Sequence, residues 1–505
     1  MAHFRFRRSF GNVGTRRFRG ARPLGSTPAF SPEATNYFSR LDAAGDTTYV
    51  DYKQPLANYI DSLVSLGGAY WDTMLSSTSF VGVGIQGVTV PLRDGMTVPT
   101  SNNFVAGDLD VLTGLKGDAS TKYIATGTDY LDYAQDDVSL SAYVSTPSGS
   151  GWIAGTGTPN GTFYIRDIGT VLRSATHSPA INTGTAIISG LVGVSRSAPT
   201  TLNVRSNQTN TAFFGASITP VAGNLSVFGQ NGFPSSAARL ATYHAGPALN
   251  LATLESLQDT LLSEIRTAHT FVAAASYFSR LAAAGDTTHV AYKQPLTNYI
   301  TSLVELGGAY WDNMKSSASF VGVGIQGITV PLRDGMTVPT NNNFVAGDLN
   351  QLTGLKGDAS TKYFGLNILG SVVEQDNASI SVYITEADGA FGFHMGHQGN
   401  RLTLRNNPYV ELNGAAAAPT NGKPTSKIFG GSRTTSTDVD VRNNQVTSTI
   451  SNTSLSPSAS TMFLFARVTS ASSKARLATY HIGSALDLAT LEGLQDTLIT
   501  EIAAI

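Results

Sequence analysis

The chain has 505 residues, of which 41% are apolar and only 13% charged, with a formal net charge of −2. It is long enough for two or more cores, too apolar for a disordered polymer and too evenly charged for a polyelectrolyte binder. Cysteine is absent, which removes disulfide staples, thiol nucleophiles and cysteine-held metal centres.

In chain order, the first element is a basic arm, residues 1–32. Arg5, Arg7, Arg8, Arg16, Arg17, Arg19 and Arg22 carry seven positive charges, no acidic residue precedes Glu33, and Phe4, Phe6, Phe10 and Phe18 are interleaved among them. The arm has no continuous apolar stretch of the kind a secretory leader needs. Three readings fit it. It anchors to a larger partner, with arginines on acidic groups and phenylalanines in pockets; it binds nucleic acid; or it is a solvated tail. The phenylalanines favour the anchor, because phosphate binding needs none and exposed aromatics are a liability.

Two near-copies follow. Asn36–Tyr123 and Ser276–Tyr363 align without a gap and match at 74 of 88 positions, ending in "GLKGDASTKY" both times. Beyond Tyr123 and Tyr363 the likeness stops, then resumes at "ARLATYH" (238–244 and 475–481) and "LQDTL" (257–261 and 494–498). Each copy opens helically: in "YKQPLANYIDSLVSLGG" Pro55 suits a first turn and Leu56, Tyr59, Ile60, Leu63 and Leu66 fall near one face. A short turn with Trp71 follows, and from Phe80 the pattern is short Val/Ile/Thr runs broken by Gly, Asn and Pro, as in strands. "VSLSAYVST" (138–146) and "ISVYIT" (380–385) alternate or nearly so. Leu251, Leu254, Leu257, Leu261 and Ile265 then step at helical spacing, as do Leu488, Leu491, Leu494, Leu498 and Ile502. The expected units are a leader and entry strand (33–123), a β-sandwich (124–268), a second leader and entry strand (269–363) and a second sandwich (364–505). No run of eighteen apolar residues occurs, so no membrane insertion is expected.

The order "DLDVLTGLKGDASTKY", "SLSAYVST", "GLVGVSRS", "ARLATYHAGPALNLATLESLQ" resembles the concanavalin A-like (laminin-G-like) jelly-roll modules of structural proteins from tailed bacteriophages and related particles. The closing turns "HAGPALNL" and "HIGSALDL" are variants of the family's usual form. The resemblance covers most of residues 36–505. It implies a mainly β fold of two helix-plus-sandwich modules and a homo-oligomeric fibre or spike on a virion surface, made in a bacterial cytoplasm. It also implies a capsid, portal or tail partner for the arm, and contact with a bacterial surface polysaccharide. A decoration protein that stabilises a capsid without recognising a host fits the same resemblance.

The diverged stretches hold the candidate contact residues: Trp152, Tyr164 and Arg166 in the first copy, and Phe393, His394, His397 and Arg401 in the second. Aromatics flanked by Gly-rich loops suit stacking on a sugar ring, although strand aromatics more often belong to a core. His394 and His397 stand three apart, which on a strand aims them to opposite faces, so no metal site is expected. Carboxylates cluster at Asp129, Asp132, Asp136 and Asp137, and at Glu374, Asp376, Glu386 and Asp388, without a shared strand motif for glycoside hydrolysis. The sequence therefore suggests a binding protein, without catalytic residues or cofactor.

Overall fold

The computed structural model describes residues 30–505 apart from 157–162, 170–171, 177–179, 184–185, 231–232, 235, 307, 389–391, 398–401, 407–408, 419–421 and 469–472. The arm residues from Phe4 to Arg22, and Arg401, lie outside the described residues. The chain is mainly β, 36% strand against 27% helix, and all its named strand pairs are antiparallel.

Three helices lead: α1 (Pro32–Ala43), α2 (Lys53–Ser65) and α3 (Gly68–Thr73). Ser31 caps α1 by accepting from the Ala34 amide, and Pro32 takes the first turn, where a missing N–H costs nothing. Leu56, Tyr59, Ile60 and Leu63 of α2 are all buried, as the periodicity predicts, while Leu66 caps the helix end and is only partly buried. Trp71 and Met74 are buried within the chain's own helical core.

An eight-stranded sheet runs in the spatial order Thr209–Phe214, Thr201–Ser206, Gly190–Ala198, Val138–Thr146, Arg239–Gly246, Gly114–Lys116, Leu109–Asp110, with Ser76–Ser79 also paired to Arg239–Gly246. A seven-stranded sheet runs Ile181–Asn182, Leu172–Thr176, Phe163–Asp167, Gly151–Thr156, Asn224–Val227, Tyr123–Asp129, Thr100–Asn102. Leu140, Val192, Val194 and Leu202 from the first sheet and Ile153, Phe163, Ile165 and Leu225 from the second share one buried cluster. Burying one face of each sheet against the other is what the alternating strand pattern requires.

Helix α4 (Leu251–Ala283) is a single element of 33 residues, about 50 Å long, capped by Asn250 and free of Gly and Pro. Its first half packs on α2, with Asn58 donating to Glu264 at 2.9 Å, and its second half continues into the next unit. The boundary expected between residues 268 and 269 therefore falls inside one helix. Beyond it come α5 (Lys293–Glu305), α6 (Gly308–Asn313), an eight-stranded and a six-stranded sheet, and α7 (Leu488–Ala503). There Asn298 donates to Glu501 at 2.9 Å, matching the α2–α4 bond. Among the described residues no helix is long and apolar enough to cross a membrane.

The repeated "GLKGDASTKY" builds the same loop twice. Asp118 accepts from the Ser120, Thr121 and Lys122 amides and the Thr121 hydroxyl, and Asp358 does the same with Ser360, Thr361 and Lys362. Desolvation opposes ionisation of both carboxyls, but these donors outweigh it and hold them well below the usual range. Lys122 closes the loop on Asp108 at 2.5 Å. A β-carbon on Gly117 would stand 2.0 Å from the Ser236 carbonyl oxygen, so only glycine fits there. Tyr123 and Tyr363 are the first residues of the next strands, which is where the two copies cease to match.

Candidate binding site

In the first unit, Trp152 on Gly151–Thr156 lies directly across from Arg166 on Phe163–Asp167. The alternation of that second strand buries Phe163 and Ile165 in the core and turns Tyr164 and Arg166 to the other face. The Arg166 guanidinium sits 5.1 Å from the Trp152 ring centroid, and Tyr164 meets the indole edge-on at 4.8 Å and 67°. Trp152 and Arg166 are half-buried, whereas Tyr164 is only 5% exposed. Burial raises the Tyr164 hydroxyl pKa, and the positive charges of Arg173 and Arg166 oppose that shift, which places both guanidiniums close to the phenol. The three residues expected from sequence are thus brought together, with Arg173 as a fourth.

In the second unit, Phe393 on Phe393–Gly396 lies directly across from Arg405 on Leu402–Arg405. Arg405 stands 4.9 Å from the phenyl centroid and Arg467 stands 5.4 Å from it. Arg405 also pairs with Glu411 at 3.3 Å. The cross-strand aromatic–arginine pair therefore recurs in two stretches whose sequences have diverged.

His394 and His397 need correction as surface contacts, because both are fully buried. Since strand neighbours alternate in direction, His394 points away from the face Phe393 occupies. Its Nδ1 lies 3.0 Å from the Ser473 hydroxyl, its ring meets Phe429 edge-on, and burial lowers its pKa to about 4 despite Asp388 nearby. Arg405 and Arg467 hold the positions against Phe393 that were sought at Arg401. A usable signal existed for Arg405: each copy has an arginine 12 to 14 residues after its aromatic, Arg166 after Trp152 and Arg405 after Phe393.

Most of the clustered carboxylates have structural partners, Asp136 and Asp376 each keeping one buried oxygen without a hydrogen bond. Asp129 accepts from the Leu131 amide and Asp132 from the Asp129 amide, closing one turn. Glu386 bonds Lys356 and Arg476, and Asp388 accepts from the Lys474 amide. Among the described residues, no three His, Cys, Asp or Glu side chains are grouped as metal ligands.

No protein-family model matches the chain, and no curated protein matches it in sequence. Among solved structures, the chain is similar to a Trypanosoma rangeli sialidase in complex with sialic acid, at 15% identity and TM-score 0.28. That match covers 41% of this chain and 37% of the sialidase. Domain 4 of an extracellular arabinanase from Geobacillus stearothermophilus, in complex with arabinotriose, matches at 17% identity and TM-score 0.26, over 37% of this chain and 98% of that domain. The binding domain of botulinum neurotoxin DC, in complex with rat synaptotagmin II, matches at 8% identity and TM-score 0.29, over 85% of this chain and 97% of that one. The expectation that the chain is not an enzyme does not survive these matches, since five of the similar structures are sialidases. At TM-scores of 0.26–0.28 that likeness is a weak one of fold and assigns no reaction.

Proposed function

We propose that this chain is an adhesin carried on a virus-like particle: the arm anchors it, and two tandem helix-plus-jelly-roll modules present glycan-contacting surfaces to a host cell. The observation that carries this reading is the aromatic–arginine pair at the same cross-strand position in both units, Trp152 with Arg166 and Phe393 with Arg405. An aromatic ring offers an apolar platform to the C–H face of a sugar, and a guanidinium beside it supplies fixed donors to hydroxyl or acid groups. The pairs persist although the strands around them share little sequence, as expected if both surfaces serve recognition. Two weak sites on one chain, multiplied in a homo-oligomer, would reach useful avidity. The interleaved Phe and Arg residues of the arm support attachment to a capsid, portal or tail protein.

The test is binding of fluorescent full-length protein to bacterial cells with and without periodate oxidation of their glycans. Binding that periodate abolishes, and that Trp152→Ala or Phe393→Ala weakens at least fivefold, is the expected result. Failure to bind any cell, even when the protein is multimerised on beads, would discard adhesion and leave the arm as the functional end, as in a capsid decoration protein. Attachment is checked separately, by whether deletion of residues 1–29 strips the protein from purified particles.

A further inference from the structure

The two aromatic–arginine surfaces differ in charge, and the difference names a ligand class for the first. Arg166 and Arg173 are direct cross-strand partners on Phe163–Asp167 and Leu172–Thr176. Like charges directly opposite on neighbouring strands are destabilising, whereas opposite charges there are stabilising. Neither guanidinium forms an ion pair with any carboxylate of the described residues. The stretches outside the described residues contain no Asp or Glu that could supply one. The adjacent Asp167 is buried on the other side of its strand, where it accepts from the Gly169 amide. Arg166 keeps a buried Nε without a hydrogen-bond partner, and Arg173 is exposed. In the second unit the residue opposite Arg405 is Tyr409, and Glu411 neutralises Arg405. The same framework therefore sets two uncompensated cations opposite one another in one unit, whereas in the other Arg405 faces a tyrosine and is compensated by Glu411, and Arg467 reaches Phe393 from outside that strand pair while donating to the His397 carbonyl.

We infer that the first unit's surface, Trp152, Tyr164, Arg166 and Arg173, takes an acidic saccharide, a sugar bearing a carboxylate or sulfate, and that the second unit's surface lacks this charge requirement. The acid group receives N–H donors from Arg166 and Arg173 together, relieving their mutual repulsion, while the sugar ring lies against the exposed part of the indole. Charge-assisted bonds of this kind are short and directional, so they select an acidic sugar over its neutral counterpart. The inference rests on the glycan-adhesion reading and narrows it.

The experiment measures binding of the full-length chain to polyglucuronate, polygalacturonate and a sulfated glycan, each beside its carboxyl-reduced or desulfated form. The arm also attracts polyanions, so the variants are compared at equal net charge: Arg166→Gln, Arg173→Gln, Arg266→Gln on the exposed side of α4 and, in the arm, Arg22→Gln. We expect at least one acidic polymer to bind about tenfold or more tighter than its neutral form. Arg166→Gln and Arg173→Gln should each lose about tenfold, with Arg266→Gln and Arg22→Gln close to the parent. Binding should change the tryptophan fluorescence, and Trp152→Phe should remove that change, because Trp71 and Trp311 are buried. Equal losses in all four variants would reduce the effect to general charge attraction and overturn the inference. Equal affinity for acidic and neutral polymers, or binding to no acidic polymer, overturns it as well. Periodate-sensitive binding to cells that survives in Arg166→Gln/Arg173→Gln leaves adhesion standing while this inference falls; no glycan-dependent binding at all removes both.

Discussion

The segments that stay nearly identical between the two units pack on one another, whereas the segments that diverge pair mostly among themselves. Ser76–Ser79 and Gly114–Lys116 both pair with Arg239–Gly246, so the matching blocks before Tyr123 and after residue 237 are neighbours in space. His244 joins them further: its Nε2 lies 2.7 Å from the Tyr59 hydroxyl and its Nδ1 2.8 Å from the Ser77 hydroxyl. His481, Tyr299 and Ser317 repeat the arrangement at 2.8 and 3.0 Å. In such a frame these side chains find their partners in the other matching block of the same unit, and close packing penalises a change on one side alone. The strands of 124–237 touch the frame mainly where Val138–Thr146 lies beside Arg239–Gly246, where Tyr123–Asp129 pairs with Thr100–Asn102 and where they dock on α4. At those docking points the interactions are kept: Tyr143–Asp259 corresponds to Tyr383–Asp496, and Arg205–Glu255 to Arg442–Glu492. Divergence is thus confined to the face whose changes do not disturb the frame.

The sharpest way to break this contrast is to place a methyl group in each region. Gly117→Ala drives a β-carbon into the Ser236 carbonyl across the frame and should cost roughly 3–5 kcal/mol in urea unfolding, enough to lower the yield of folded protein. Gly149→Ala, in an open loop of the diverged face at φ +75°, should cost only about 1 kcal/mol. Equal costs would mean that the frame is no more tightly packed than the face.

Next in size is a buried cation that the diverged face keeps in both units. Arg196 is fully buried and donates to the carbonyls of Thr176, Ala198, Pro199 and Gly215; Arg433 donates to those of Leu412, Thr435 and Asn452. Arg196→Met strands those acceptors and should destabilise by roughly 2–4 kcal/mol, a cost expected of a docking point and not of a free surface.

Acid should find the frame first. Burial lowers the pKa of His244 and of His481 to about 3, so both are neutral when folded, while the unfolded chain protonates them near 6.5. The unfolded state therefore binds more protons below that pH. Stability is intact above about 6.5 and falls as pH drops from there toward 3, by about 2 kcal/mol per histidine at pH 5. Urea midpoints between pH 7.5 and 4.5 check this, and a His244→Gln/His481→Gln protein should show a shallower acid slope.

The smallest expected effect is Tyr143→Phe, which removes a hydrogen bond to Asp259 at the rim of α4 and should cost about 1 kcal/mol. Tyr383→Phe should match it, since the second unit makes the same contact.

Much of this was legible in the chain. The leucine and tyrosine spacing of α2 and α7 marked the buried faces correctly, and the alternation of "VSLSAYVST" located a strand beside the closing strand of the frame. Trp152, Tyr164 and Arg166 could be named because an aromatic in a Gly-rich setting is visible without a fold. His394 and His397 were misplaced because a strand's direction at one residue depends on register, which a run of seven letters does not specify. Arg173, Arg405 and Arg467 were missed for a related reason: each gains its meaning from a residue on another strand.

The sequence by itself determined the duplication, the place where likeness ends and the local turns, since an Asp-capped loop and a helical stripe are decided by residues within a few positions of one another. Only the tertiary structure decided that α4 runs unbroken through the repeat boundary, that the two matching blocks of each copy are packing partners, and that Arg166 faces Arg173 while Arg405 faces Tyr409. Those facts depend on strand register and helix docking, which are set by the burial of whole faces and by contacts between residues more than two hundred positions apart.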